Sequence, residues 1–179
     1  MVRVAKLPGS ARRFTGSYNA GAFDPAALPA TSWLFDTAPA VDPASWRLVV
    51  AGAGGRREWR LDELAAFDDR SDATLDCTGG FFSQQSWSGV RLDRLVPDPG
   101  AAVSFEVRSA TGYARRFPVG ELGRLLLATR IGGLDPDPGH GFPARLVVPE
   151  RRGFWWVKWV DSITFDTTPA WWQLPFPIQ

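Results

Sequence analysis

Residues 75–96 read LDCTGGFFSQQSWSGVRLDRLV and hold the only cysteine of the chain, Cys77, followed at once by Thr78, Gly79 and Gly80. Glycine carries no side chain and tolerates positive φ, so the backbone here turns sharply and leaves room beside the sulfur for a bulky group. A free cysteine is also among the most buried residue types. The residues alone therefore leave two readings open, a thiol that is presented and a thiol that is packed. Upstream, residues 73–77 read as a short strand delivering the loop. Downstream, residues 92–96 read as a helical turn stopped by Pro97, which anchors the stretch at both ends.

Cys77, the glycine turn, the pair Phe81-Phe82 and then Trp87-Ser88-Gly89-Val90, with Leu92 and Leu95 beyond, resemble the molybdopterin-binding core of the sulfite oxidase family. In that family a Cys-x-x-Gly loop leads into Trp-x-Gly-Val-x-Leu. A second block lies well downstream, where residues 139–149, GHGFPARLVVP, are followed by Gly153 and by Val157-Lys158-Trp159. Two separated blocks in the right order carry the resemblance, which covers roughly residues 41–165.

The resemblance implies a molybdenum-molybdopterin cofactor whose metal takes one thiolate from the protein, and Cys77 is the single residue able to give it. A soft sulfur donor holds such a metal through changes of oxidation state. It further implies His140 at a pterin or phosphate edge, and Arg145, five residues on, at the phosphate, where a planar fork of donors matches oxygen pairs. Lys158 is placed against the cofactor, with Trp156 and Val157 contributing backbone groups. The family sets an Asn, often beside a His or Tyr, where residues 32–37 here read SWLFDT. Phe35 and Asp36, with Thr37 next to them, are the candidates for that contact. Sulfite oxidases proper gather arginines and a tyrosine around the metal, which makes Arg108, Tyr113, Arg115, Arg116, Arg151 and Arg152 candidates for an anion cluster. Phe81, Phe82 and Trp87 are expected to wall the cysteine loop.

In outline the chain is similar to the bacterial molybdopterin subunit that reduces protein methionine sulfoxide and to membrane-anchored relatives. Oxygen-atom transfer on a small anionic or sulfoxide substrate follows as the expected activity. A haem or other redox protein, free or membrane-bound, is the expected partner, docking on the Trp-rich tail, and the expected location is extracytoplasmic. Two other readings compete. Cys77 could act as a nucleophile activated by His140, the usual arrangement in acyl transfer, or the chain could be an interaction module of the same fold without cofactor. A structural zinc site wants four Cys or His ligands, and the chain has one of each.

Composition sets the frame for these readings. With 179 residues, one ordinary domain is expected, large enough to bury about two thirds of its unfolded surface. Twenty basic against nineteen acidic residues leave a charge of +1 with no basic block, which argues against nucleic acid as a partner. The first residues, MVRVAKLPGSARRFTG, lack the apolar core of a secretory signal, and no stretch approaches the roughly 20 apolar residues of a membrane span, so a soluble chain is expected. Nine tryptophans and fifteen prolines favour an irregular, loop-rich structure.

Outward from the cysteine stretch, residues 1–44 read as an extended arm wrapped on a core of residues 45–166, and residues 167–179 as a Trp/Pro-rich tail. Residues 45–52 read as a strand ending in a glycine turn, and Leu61, Leu64, Ala65 and Phe67 mark a short helix. Val103, Phe105 and Val107 alternate inward against Ser104, Glu106 and Arg108 outward. Leu122, Leu125, Leu126 and Thr129 fall at helical spacing with Gly132-Gly133 as a stop. From Arg145 onward the chain reads as strand again, through RLVVPE and FWWVKWVDSITFD. The sum is an α+β domain of mixed β-sheets with a few short helices.

Overall fold

The computed structural model describes residues 17–33, 36–52, 54–96 and 98–175. The fold is α+β, two five-stranded mixed sheets with two short α-helices and several 3-10 turns. The first strand is β1 (Tyr18–Ala22), followed by β2 (Arg47–Gly52), β3 (Gly55–Arg60) and α1 (Leu61–Ala65). β4 (Asp69–Asp76) and β5 (Phe81–Arg91) form a hairpin with Cys77 in its loop, followed by α2 (Leu92–Leu95). β6 (Ser104–Ser109), β7 (Ala114–Pro118), β8 (Leu126–Ile131), β9 (Arg145–Val147) and β10 (Val160–Asp166) complete the order.

β5 organises the first sheet. Along one edge it pairs with β4 over its whole length, and along the other it pairs first with β1, in parallel, and then with β8, which carries β9. The Gly89 of the Trp-Ser-Gly-Val motif lies where β5 and β8 press together. A Cβ there would sit 2.1 Å from the Leu127 carbonyl oxygen and 2.9 Å from the Ala128 Cα. The motif glycine thus serves strand packing, since neither neighbour is the movable end of a side chain. A Gly89→Ala protein is expected to lose about 3 kcal/mol of stability or more, read from its urea midpoint.

The second sheet runs β3-β2-β10-β6-β7, and β10 pairs in parallel with β2. Phe105, Phe117 and Phe165 stack across its inner face with centroids 5.3 to 5.7 Å apart. The tail returns to the β7 edge of this sheet. The Gln173 side-chain amide accepts from the Arg116 N–H at 3.0 Å and donates to the Arg116 carbonyl at 2.8 Å, taking the place of a neighbouring strand. Arg115 donates to the Leu174 carbonyl at 3.0 Å, while Trp171 and Trp172 remain exposed.

Three expectations need correcting. Residues 122–129 do not form a helix: Val119–Arg124 is a 3-10 turn and Leu126–Ile131 is β8. A strand buried on both faces reads as a continuous apolar run, which periodicity alone cannot separate from a helix segment. Phe105 and Val107 face inward and Glu106 and Arg108 outward as expected, but Val103 is half exposed and Ser104 fully buried, its Oγ donating to the Thr168 carbonyl and accepting from Arg116. Residues 154–159 are not strand. They carry the 3-10 turn Gly153–Trp155 and an irregular run, and the strand starts only at Val160.

Candidate functional site

A cleft of about 280 Å³ opens between the two sheets and is lined by residues from the arm, the cysteine loop, and the loops before and after β9. Cys77 reaches it because the β4–β5 hairpin turns there. Its N–H donates to the Phe81 carbonyl at 2.8 Å, the Gly80 N–H returns to the Cys77 carbonyl at 3.3 Å, and Gly80 takes φ +92°, which favours glycine. The sulfur is partly exposed, with the Gly79 N–H at 3.3 Å and the Thr31 hydroxyl at 3.3 Å. Gly153 lets the facing loop come close, since a Cβ there would lie 3.1 Å from the Cys77 Cα. The thiol is presented, not packed.

Arg145, at the start of β9, is buried at 2% exposure and lines the same cleft. Its Nη1 donates to the His140 carbonyl at 3.0 Å, and its guanidinium lies 5.1 Å from the Trp87 ring and 5.7 Å from Trp156. Its Nε is buried with no hydrogen-bond partner among the described residues. Burial pulls the guanidinium down to about 10, while the nearby Cys77 works the other way. A cation in this position, short of one acceptor, is suited to an anionic or hydrogen-bond-accepting ligand.

His140 also borders the cleft, but both ring nitrogens are spent on protein. Nε2 donates to the Leu28 carbonyl at 2.8 Å and Nδ1 lies 2.6 Å from the Asp137 carboxylate. Neither nitrogen is turned to the Cys77 sulfur, so the thiol-imidazole pair of an acyl-transfer enzyme is not assembled. Lys158 donates to the Thr31 carbonyl at 2.5 Å and to that of Gly139. His140 and Lys158 together pin the arm over the cleft by its backbone carbonyls, and this contact brings Thr31 to the sulfur.

Burial, with Arg145 close by, pulls the Lys158 ammonium from 10.5 to about 7. The folded chain then binds fewer protons than the unfolded one between those two values, so stability rises with pH across that window; below about 7 both forms are protonated and the rise is absent. Lys158→Met is expected to flatten this rise, read as the difference in urea midpoint between about pH 6.5 and about pH 9.5.

The remaining expected residues are distributed unevenly. Trp156 lines the cleft, packs edge-on against Trp87 and donates to the Arg151 carbonyl at 3.2 Å. Val157 is fully buried behind it, its carbonyl accepting from Leu146 at 2.7 Å. Asp36 lines the cleft and accepts from Thr111 Oγ1 at 3.2 Å. Phe35 lies outside the described residues. Phe81, Phe82 and Trp87 are buried beneath the loop.

The anion cluster does not form around the cleft. Arg108 and Arg116 pair with Glu106 and Asp166, Arg151 with Glu121, and Arg152 with Asp76, each a carboxylate that neutralises it. Arg115 is buried against Trp155 at 4.0 Å. Tyr113 alone of that group lines the cleft, donating to the Phe154 carbonyl, and burial pushes its phenol well up, so it stays protonated. Trp33 and Phe154 join Tyr113 in an aromatic wall with centroids 6.3 to 6.4 Å apart. Thr31 and Trp33 carried no signal in sequence, since they lie within an aperiodic arm and act on residues far along the chain; Asp137 acts three positions away, on His140, in a turn that nothing in its spacing marks as part of the site.

The donor set limits what metal the cleft accepts. No group of three His, Cys, Asp or Glu side chains that could hold a bare ion is found among the described residues. A metal here would have to bring most of its own ligands, with the Cys77 sulfur as the soft donor that the cleft offers. That requirement, with the orphaned Arg145 Nε, fits a metal carried on an organic chelate with an anionic end.

The pattern of the family described as "Oxidoreductase molybdopterin binding domain" matches residues 35–172. The chain is 30% identical to sulfite oxidase of Gallus gallus, over 75% of this chain and 38% of that protein, and 28% identical to mitochondrial sulfite oxidase of Homo sapiens, over 75% of this chain and 32% of that one. It thus spans about a third of the length of these relatives. The fold is shared with sulfane dehydrogenase SoxCD from Paracoccus pantotrophus, at TM-score 0.68 and 23% identity over 73% of this chain and 40% of that one. The matched pattern spans Asp36, the cysteine loop, the motif strand and the Arg145 block together, and the chain belongs to the sulfite oxidase family of molybdopterin-binding oxidoreductase domains.

Proposed function

We propose that this domain carries out oxygen-atom transfer at a pterin-held molybdenum ligated by Cys77, with electrons exchanged through a separate redox protein. The observation that carries the reading is a partly exposed cysteine facing a buried, under-partnered arginine across one cleft. When bound, the cofactor supplies two-electron oxygen-atom chemistry. The chain's own part is to hold and orient. Cys77 gives the thiolate, Arg145 meets the anionic end, and Lys158 and His140 fasten the wall formed by the arm. Water is kept from the inner end by Trp156 and Trp159, both buried.

On the substrate side, the aromatic wall of Trp33, Tyr113 and Phe154 and the carboxylate of Asp36 favour an uncharged sulfoxide over a sulfite anion. An aromatic surface gains from apolar contact, and a carboxylate repels an anion. The exposed Trp171, Trp172 and Leu174 support a docking face for the electron-transfer partner. The partner, and an extracytoplasmic location, rest on the family resemblance.

The test is expression in a host that synthesises the cofactor, followed by metal analysis and assay with an artificial electron carrier. Near-stoichiometric molybdenum and turnover of methyl sulfoxides in preference to sulfite are expected. Folded protein without molybdenum would favour the interaction module.

A further inference from the structure

We infer that Thr31 is a positioning residue for the Cys77 sulfur, a hydroxyl delivered from the arm to tune how strongly that sulfur donates to a bound metal. The inference rests on the reading of Cys77 as the metal ligand. Among the described residues two hydrogen-bonding groups meet the sulfur, the Gly79 N–H and the Thr31 hydroxyl, each at 3.3 Å. A thiolate has no proton to give, so both neighbours donate to it. The Gly79 contact is local, two residues along the same loop. The Thr31 contact spans 46 residues and depends on how the arm is held.

The arm is held at that residue from the other side. Lys158 takes the Thr31 carbonyl at 2.5 Å and ties it to the Gly139 carbonyl. His140 takes the carbonyl of Leu28, three residues earlier, at 2.8 Å and is itself oriented by Asp137 at 2.6 Å. The β-branched side chain has a restricted χ1, so fixing its backbone aims its hydroxyl. A surface threonine on a connecting segment has no need of a cation on its carbonyl and a sulfur on its hydroxyl.

Hydrogen bonds to a ligating sulfur withdraw electron density from the metal and raise its reduction potential, and such outer contacts orient the ligand as well. Thr31 thus favours the reduced metal. Its removal leaves the ligand in place and shifts the balance toward the oxidised form.

Thr31→Val keeps the shape and removes the hydroxyl; Thr31→Ser keeps the hydroxyl. In the metal-free full chain, alkylation of Cys77 by iodoacetamide at fixed neutral pH is expected to slow at least about twofold in the Val variant, because the sulfur loses a hydrogen-bond donor, and to stay at the wild-type rate in the Ser variant. In the loaded chain, the Val variant is expected to keep its molybdenum. Its one-electron midpoint, followed by electron paramagnetic resonance, should fall by about tenfold in the equilibrium, ~59 mV, with Ser near wild type. Unchanged alkylation, or unchanged potentials in a loaded Val variant, overturns the role. Slowed alkylation in a wild-type background that retains no molybdenum upholds Thr31 as the sulfur's donor and ends the oxygen-transfer reading instead.

Discussion

A Cys77→Ser protein is expected to fold with wild-type stability and to lose its molybdenum. The hydroxyl of serine is nearly the size of the thiol, and the hairpin around it is held by backbone bonds from Cys77 to Phe81 and from Gly80 to Cys77 that the substitution leaves alone. What changes is the donor: a neutral hydroxyl is a harder and weaker ligand than a thiolate. Disturbing an outer-shell partner of a metal ligand already costs about 10–100-fold in affinity or activity. Removing the ligand itself is expected to cost more than about 100-fold in turnover. Metal-to-protein ratio, circular dichroism and turnover, measured on one preparation, separate the outcomes. Retention of metal and activity would place the ligand elsewhere.

Arg145→Gln is expected to separate binding from stability in the opposite sense to an ordinary buried arginine. A fully paired buried cation costs about 3–5 kcal/mol when its partnership is broken. Arg145 is not fully paired: it has one bond to the His140 carbonyl, its Nε is unpartnered among the described residues, and burial holds its charge at a disadvantage. Glutamine keeps an amide donor near that carbonyl and takes the charge away. The metal-free variant should therefore melt within a few degrees of wild type, at about 2–4 °C per kcal/mol for a chain of this size. Cofactor retention should drop by at least about tenfold, the loss of a charge-assisted contact to an anion. A collapse in metal-free stability would make Arg145 a pillar of the core and leave the anionic end of the cofactor without its assigned partner.

Much of the fold was legible where one face of a strand is wet. Residues 45–52, the helix at Leu61–Ala65 and the turn at Leu92–Leu95 follow from alternation, from 3.6-residue spacing and from glycine or proline stops. β8 was not legible, because all but Arg130 of its six residues are buried and the pattern that distinguishes strand from helix disappears. β5 was hidden by the motif it carries, since 11 residues that look like a ligand loop are a central strand with Gln85 buried in its middle.

The cleft was legible only through resemblance. Cys77, Arg145, Lys158, Trp156 and Asp36 are drawn to one cavity, and nothing in their spacing announces it. His140 shows the limit of carrying a role across. The residue stands at the expected place, yet its ring serves the arm, because an aspartate three positions earlier and a backbone carbonyl 112 residues away claim both nitrogens. The arginines show a second limit: the pair Arg115-Arg116 looks like an anion site until Arg116 is seen against Glu106 and Asp166, and Arg115 against the Trp155 ring and the Leu174 carbonyl.

The amide of Gln173 lying against Arg116 bears on how the molecule behaves in a crowded solution. The outermost strand of a sheet is a template on which a second copy can add its own, and such growth leads to aggregates. Here a single side chain occupies the N–H and the carbonyl of Arg116, two residues before Pro118, which has no N–H to offer. On the β7 edge the guard against such growth is thus one side chain of the tail rather than burial.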